Sequence, residues 1–203
     1  MKAADNRFDR AETAFRRAGG IMKYSDAVRL RIHPETLAGL LAEGRIERLA
    51  RGVYRLTDLP PPRMPDLAVV AARVPGGVIC LISALSFHGL TTQIPGAVHL
   101  AVLRGSRIPR LDHPPIRVFR FSASAFGIGV VQHAIDGVNV RIFDAEKTLV
   151  DCFKFRNAIG LDVALEALKL YRERKKPRVK KLLEYARTCR MERVMTPYLD
   201  AVL

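Results

Sequence analysis

The chain has 203 residues, 49% of them hydrophobic, with a formal net charge of +14. That much apolar material excludes global disorder, and the positive surplus points to phosphate polymers as partners. Three scattered cysteines, Cys80, Cys152 and Cys189, include no C-x-x-C pair, which argues against a disulfide scaffold and a thiolate zinc site and for a reducing compartment.

The N-terminal residues from about Asn6 to Ala18 read as a helix with Phe8, Ala11, Ala14, Phe15 and Ala18 near one face, closed by Gly19-Gly20. Ser25 suits the N-cap of a second, short helix from Asp26 to Leu30, and Arg31-Ile32-His33 reads as a turn. Pro34 suits the first position of a third helix, which Gly44 ends. That helix places Leu37, Leu40 and Leu41 inward, Glu35, Gly39 and Ala42 outward, and Thr36 and Ala38 on the flanks. Ile46 to Leu49 and Val53 to Leu56 are predicted strands, with Ala50-Arg51-Gly52 as the tip between them. Helix, turn, helix, hairpin is the order of a winged helix-turn-helix.

Pro60, Pro61, Pro62 and Pro65 cannot continue either element, so residues 59–65 read as a semi-rigid linker. The expected organisation is a winged helix-turn-helix at 1–58, the linker at 59–65, and an α+β domain at 66–203. In the last, Asp66 to Arg73 reads as a helix capped by Asp66, and Ser83 to His88 as another closed by Gly89. Val98 to Leu103, Ile116 to Phe121, Val130 to Ala134 and Val138 to Ile142 read as strands of an antiparallel-type sheet, with Ile135-Asp136-Gly137 as a hairpin turn. Asp144 suits the N-cap of a helix reaching about Phe155. Leu161 to Arg174 is amphipathic, Pro177 starts a further helix, and a short helix ends the chain. The fold class is α+β. No apolar run approaches the roughly 18 residues that span a membrane, and the first twenty residues lack a signal-peptide core. A soluble cytoplasmic protein without cofactor or metal is expected.

An α-helix fits the DNA major groove, so His33, Glu35, Thr36 and Gly39 are the predicted base-facing positions. They are a weakly basic set. Arg29 and Arg31 flank the turn, Arg45 sits at the helix exit, and Arg48, Arg51 and Arg55 lie on the wing; these six suit phosphates, or a minor groove at the wing tip. A solvated face or a protein contact is the competing reading of such residues. Residues 151–203 hold 13 Lys+Arg against 7 Asp+Glu, the most basic part of the chain. Within it Arg174, Lys175, Lys176, Arg178, Lys180 and Lys181 form a candidate second basic surface for the DNA backbone, with a merely solvated face as the alternative.

Catalytic patterns are weaker. Ser83, Ser86 and His88 lack the G-x-S-x-G elbow and a placed acidic partner. Asp144, Glu146, Lys147 and Asp151 hint at a metal nuclease, but Glu146 and Lys147 are adjacent on a predicted helix, and capping with first-turn charge accounts for Asp144 and Glu146. His99, His113 and His133 are isolated, and Gly127-Ile128-Gly129 is no nucleotide fingerprint.

Three segments together carry a family resemblance: Arg48 to Leu56 (RLARGVYRL), Ser83 to Thr91 (SALSFHGLT) and Phe143 to Phe153 (FDAEKTLVDCF). In that order they resemble AbiEi-family antitoxins over nearly the whole chain. The resemblance implies a two-domain antitoxin of a type IV toxin–antitoxin, or abortive-infection, system. Its winged helix is then expected to bind inverted repeats in its own promoter and repress the operon. Its C-terminal domain is expected to serve antitoxicity and cooperative DNA binding. The implied partners are double-stranded DNA and a nucleotidyltransferase toxin, the latter without need of a stable complex. The protein would be a monomer in solution or pair cooperatively on DNA. The basic surfaces would map to Arg48 and Arg51, and to Lys175, Lys176, Lys180 and Lys181.

Two other readings stay open at this point. One is a stand-alone winged-helix regulator whose second domain senses a ligand or dimerises, which an enclosed polar pocket would favour. The other is a nucleic-acid enzyme, which a cluster of metal-binding carboxylates would favour.

Overall fold

The computed structural model describes residues 2–108, 111–174 and 176–202. It is an α+β chain that packs as two compact units. One comprises Met1–Pro75, Pro109–Pro114 and His133–Val140; the other comprises Gly76–Ile108, Pro115–Gln132 and Arg141–Leu203.

The first unit contains α1 (Lys2–Arg17), β1 (Ile21–Lys23), α2 (Tyr24–Arg29), α3 (Pro34–Ala42), β2 (Ile46–Ala50), β3 (Val53–Leu56) and α4 (Pro65–Arg73). Phe8, Ala11 and Phe15 recur at i, i+3 and i+7 on α1 and bury against Leu37 and Leu40 of α3 and Met22, Ile46, Tyr54 and Leu56 of the strands. The hairpin predicted at 46–56 forms, with an irregular register between Arg48 and Ala50. Strand β1 is an addition to the sequence reading. It pairs antiparallel with β3, Ile21 opposite Arg55, and makes the sheet order β1-β3-β2. Three residues between two helices are too few for an alternation to show.

Two caps differ from expectation. Ser25 lies inside the first turn of α2, because the backbone N–H of Tyr24 is bonded to the Gly52 carbonyl (2.9 Å) and the helix begins there, with Lys23 at the cap position. Asp66 likewise lies in the first turn of α4, with Met64 at the cap position and Pro65 following. The N–H groups of Arg63 and Met64 donate to the Asp136 carboxylate at 2.8 and 2.9 Å.

The proline-rich residues 59–65 lead into α4, whose Ala68 and Ala72 pack on Ile21 and Val53 within the same unit. Strand β3 is therefore covered on both faces, and all four of its residues are buried.

The second unit holds β4 (Val78–Ile79), α5 (Leu81–His88), β5 (Val98–Leu103), β6 (Ile116–Phe121), α6 (Ala123–Phe126), the bases of β7 (Val130–Ile135) and β8 (Val138–Phe143), then α7 (Ala145–Lys154), α8 (Arg156–Ile159), α9 (Leu161–Arg172), α10 (Val179–Thr188) and α11 (Glu192–Val202). The strand order is β6-β5-β4-β8-β7. The sheet is mixed: β4 runs antiparallel to β5, whereas β5 and β6 are parallel, as are β4 and β8. The expected antiparallel-type sheet thus covers only part of the pairing, because the connection from β5 to β6 returns the chain in the same direction. The β7–β8 turn has Asp136 at φ +49 and Gly137 at φ +77, the two left-handed residues of a tight hairpin. Helix α7 is buried from Ala145 through Phe153. Among the described residues, no helix is long and apolar enough to cross a membrane.

Candidate nucleic-acid interface

Helix α3 is the element predicted to meet base edges. Its N-cap is His33, whose Nδ1 accepts from the Glu35 N–H at 3.4 Å, and Pro34 fills the first position. Leu37 and Leu40 are buried as expected, and so is Thr36. A Cβ on Gly39 would come within 2.5 Å of the Phe8 ring, so Gly39 is turned toward α1 and is small because α1 and α3 approach closely there. Of the four predicted base-facing residues, His33 and Glu35 are exposed, while Thr36 and Gly39 serve packing. The exposed face runs through Glu35, Ala38 and Ala42, one step round the helix from the predicted face.

The six predicted phosphate ligands divide sharply. Arg45 is taken by α1: its Nε donates to Glu12 at 2.5 Å and its Nη2 to Asp9 at 3.1 Å, which holds the guanidinium above its ordinary pKa. Arg55 is only 5% exposed. It donates to Glu47 (2.7 Å), to the Leu59 carbonyl (2.7 Å) and to the Pro60 carbonyl, so it fastens the following chain to the sheet. Both are engaged within their own unit. An arginine in a strand covered on both faces must satisfy itself internally, and the local alternation does not reveal the second cover. Arg29 is exposed and paired with Asp26. Arg31, Arg48 and Arg51 are exposed. Arg48 lies 5.7 Å from the Tyr54 ring centroid, which orients it along the wing. Arg51 sits beside Gly52, whose φ of +72 makes the tip.

A further set of cations lies on α1, beyond those predicted. Arg7, Arg10 and Arg17 are exposed on α1, at i, i+3 and i+10 around Ala14, a spacing that puts them on one stripe. That periodicity was available in the sequence.

The basic tail is largely engaged within its own unit. Arg178 donates to Glu146 through Nη2 (2.6 Å) and Nε (3.1 Å), and Lys181 lies 2.8 Å from Asp144. These hydrogen bonds hold both cations above their ordinary pKa. Arg174 donates to the His88 carbonyl at 2.5 Å. Lys176 and Lys180 are exposed. Lys175 lies outside the described residues. The candidate second surface is therefore reduced, because Arg178 and Lys181 compensate carboxylates of the buried helix α7.

Those carboxylates are the ones that hinted at a nuclease, and each has a structural role. Asp144 caps α7 through the Lys147 N–H (2.9 Å) and accepts from Tyr185 Oη (3.1 Å). Glu146 accepts from Tyr171 Oη at 2.8 Å. Lys147 and Asp151 form an enclosed ion pair, with Nζ 4.4 Å from the Phe143 centroid. Ser83 Oγ accepts from the His99 N–H (2.9 Å), and His88 Nε2 lies 2.7 Å from the Phe143 carbonyl. Among the described residues, no three His, Cys, Asp or Glu side chains are grouped to hold a metal.

Comparison with known proteins agrees with the N-terminal reading. Residues 9–57 match a family described as "Transcriptional regulator, AbiEi antitoxin". No curated protein matches the chain. The fold is similar to the crystal structure of RV2827C protein from Mycobacterium tuberculosis, with a TM-score of 0.53 and 15% identity over 81% of this chain and 66% of that one. This chain thus spans slightly less than two thirds of the mycobacterial chain. The matched stretch runs from the middle of α1 to the end of the wing, so the likeness to AbiEi antitoxin transcriptional regulators lies in the N-terminal segment.

Proposed function

We propose that the protein is a DNA-binding autorepressor and antitoxin of a type IV toxin–antitoxin system. It binds inverted repeats in its own promoter in the cytoplasm and counters a nucleotidyltransferase toxin, without itself catalysing a reaction. The observation that carries this reading is the wing: Arg48 and Arg51, both exposed, stand on the hairpin that follows α3, inside the segment matched to the family. His33 and Glu35 are the α3 residues in reach of base edges, with Arg29 and Arg31 beside the turn. The second unit carries the antitoxin role and supports cooperative pairing on DNA, with the exposed Lys176 and Lys180 as its cations for the backbone.

The test is anisotropy with the duplex directly upstream of the gene, at two salt concentrations, against a scrambled duplex of equal length. Tight, selective binding to the upstream repeat is expected. Equal and strongly salt-dependent binding to both duplexes would reduce the charge to a nonspecific footprint and overturn the repressor reading.

A stand-alone regulator with a ligand-sensing second unit is the second reading. The polar hollow of that unit, about 490 Å³ and lined by Ser122, Ser124, Lys154, Thr188 and Arg190, is open to solvent and not the enclosed pocket such a sensor calls for. A toxin gene adjacent to this one, whose toxicity is relieved by co-expression, decides for the first reading.

A further inference from the structure

We infer that the groove between α1 and the α2–α3 turn is a second clamp for the DNA backbone, with Arg7, Arg10, Arg17 and Arg31 as its phosphate ligands. This rests on the DNA-binding reading above and adds a contact surface to it.

The groove consists of two adjoining hollows of about 580 and 460 Å³ that share Arg10, Ala14 and Leu30. Arg17 lines the first hollow; Arg7 and Arg31 line the second, beside His33 and Glu35 at the start of α3. Uncompensated charge is concentrated here. Arg16, Arg29, Arg45 and Arg55 are each paired with a carboxylate. Among the described residues, none of Arg7, Arg10, Arg17 and Arg31 has a carboxylate within ion-pair distance. Of the two acids that line the groove, Asp9 is engaged by Arg45, and Glu35 sets one negative charge against four guanidinium groups. The groove is thus left positive.

Arg31 is held at φ +59, a left-handed conformation that glycine or asparagine adopts at lower cost. The turn is fixed by bonds from the Arg31 and Ile32 N–H groups to the Val28 and Ala27 carbonyls (3.0 and 2.9 Å). The exposed guanidinium therefore starts from a fixed backbone.

The chemistry of α3 calls for such a clamp. The helix contains no Lys or Arg, and Glu35 and Glu43 stand at its two ends. Both repel phosphates. Cations on the wing serve the C-terminal end of α3, and the groove lies at its N-terminal end, where the helix dipole also favours an anion. The small apolar floor of Ala14 and exposed Leu30 suits sugar edges between phosphates.

The experiment uses the full chain and compares Arg7→Gln, Arg10→Gln and Arg17→Gln together with Arg48→Ala and Arg51→Ala together. Both are titrated with the upstream and the scrambled duplex over a range of salt. Glutamine keeps helix propensity and polarity, so folding is retained, which thermal unfolding verifies. The α1 variant is expected to lower the salt slope by about 2 to 3 on both duplexes, roughly 0.9 for each phosphate that is no longer neutralised. The matching Arg→Lys triple restores most of the slope, since lysine retains the charge. A wild-type slope in the glutamine triple, with a reduced slope in the wing pair, overturns the clamp and leaves DNA binding intact; the groove then suits an acidic peptide. Wild-type slopes in both variants overturn the clamp and the DNA-binding reading together.

Discussion

Arg55 and Glu47 face each other across β3 and β2, with Nη1 2.7 Å from Oε1, and the same guanidinium reaches the Leu59 carbonyl at 2.7 Å. One side chain therefore ties the hairpin to the proline-rich segment that follows it. This separates two kinds of wing arginine. Arg55→Met keeps the apolar stem but takes the donor away from the Leu59 and Pro60 carbonyls and from Glu47, partly exposed acceptors, which costs about 1 kcal/mol of stability. It should lower the denaturant midpoint and leave the salt slope of DNA binding unchanged.

Arg48→Ala with Arg51→Ala should do the reverse. Both residues are exposed, so stability should move by no more than about 0.5 kcal/mol. The salt slope should fall by up to about 2, similarly on any duplex sequence. An unchanged slope, measured by anisotropy, removes the wing from the interface.

The tail allows a parallel separation. Arg178→Ala and Lys181→Ala together withdraw the partners of Glu146 and Asp144, which are almost fully buried at the start of α7. Both cations are partly exposed, so the full cost of breaking a buried pair does not apply, and about 1–3 kcal/mol is expected. Lys176→Ala with Lys180→Ala should leave the melting temperature in place and weaken DNA binding at low salt. Unaltered affinity in that second variant assigns those lysines to another role.

Lys147 Nζ lies 2.6 and 2.5 Å from the two Asp151 oxygens, both residues fully enclosed. Removing one partner strands the other charge. Lys147→Met should therefore cost about 3–5 kcal/mol, whereas Lys147→Met with Asp151→Leu should recover most of that loss. Denaturant titration of the two variants checks this. A single variant within about 1 kcal/mol of wild type would show that the pair is not held as described.

Much of this structure was legible from local pattern. The helix, turn, helix and hairpin at the N-terminus follow from apolar spacing punctuated by Gly20, Pro34, Gly44 and Gly52, and the resemblance of three segments named the family that residues 9–57 match. Roles set by distant partners were not legible. Thr36 and Gly39 sit where a one-step error in helical phase moves a residue from solvent to core, and the close approach of Phe8 that fixes the phase is thirty-one residues away in the chain. Arg55 reads as an exposed wing cation until α4 covers β3 from the other side. Arg178 and Lys181 read as a free basic run because their carboxylates lie more than thirty residues earlier. The parallel pairs β5–β6 and β4–β8 likewise come from long connections, which strand periodicity does not encode.

His99 should give the second unit an acid sensitivity of definite sign. Its Nδ1 accepts from the Ile82 N–H at 3.2 Å, which requires the ring to be unprotonated there. Burial, with the Arg117 charge adding to it, lowers its pKa from 6.5 to about 4. A base whose folded pKa is depressed contributes stability that is full above its unfolded pKa and is lost as pH falls toward the folded value. Asp151 acts in the opposite sense: burial raises its pKa to about 6, so its contribution is lost as pH rises from 3.8 through that value. The two partly cancel between about pH 4 and 6 in the native protein. His99→Asn keeps an acceptor for Ile82 and removes the titration. Unfolding free energies of wild type and variant are to be measured by denaturant titration across this range. Their difference should rise with pH from about 4 to 6.5 and be level above it. A difference that is level throughout would mean that His99 is already charged at the same pH in the folded and unfolded chain, and that its bond to Ile82 does not govern its protonation.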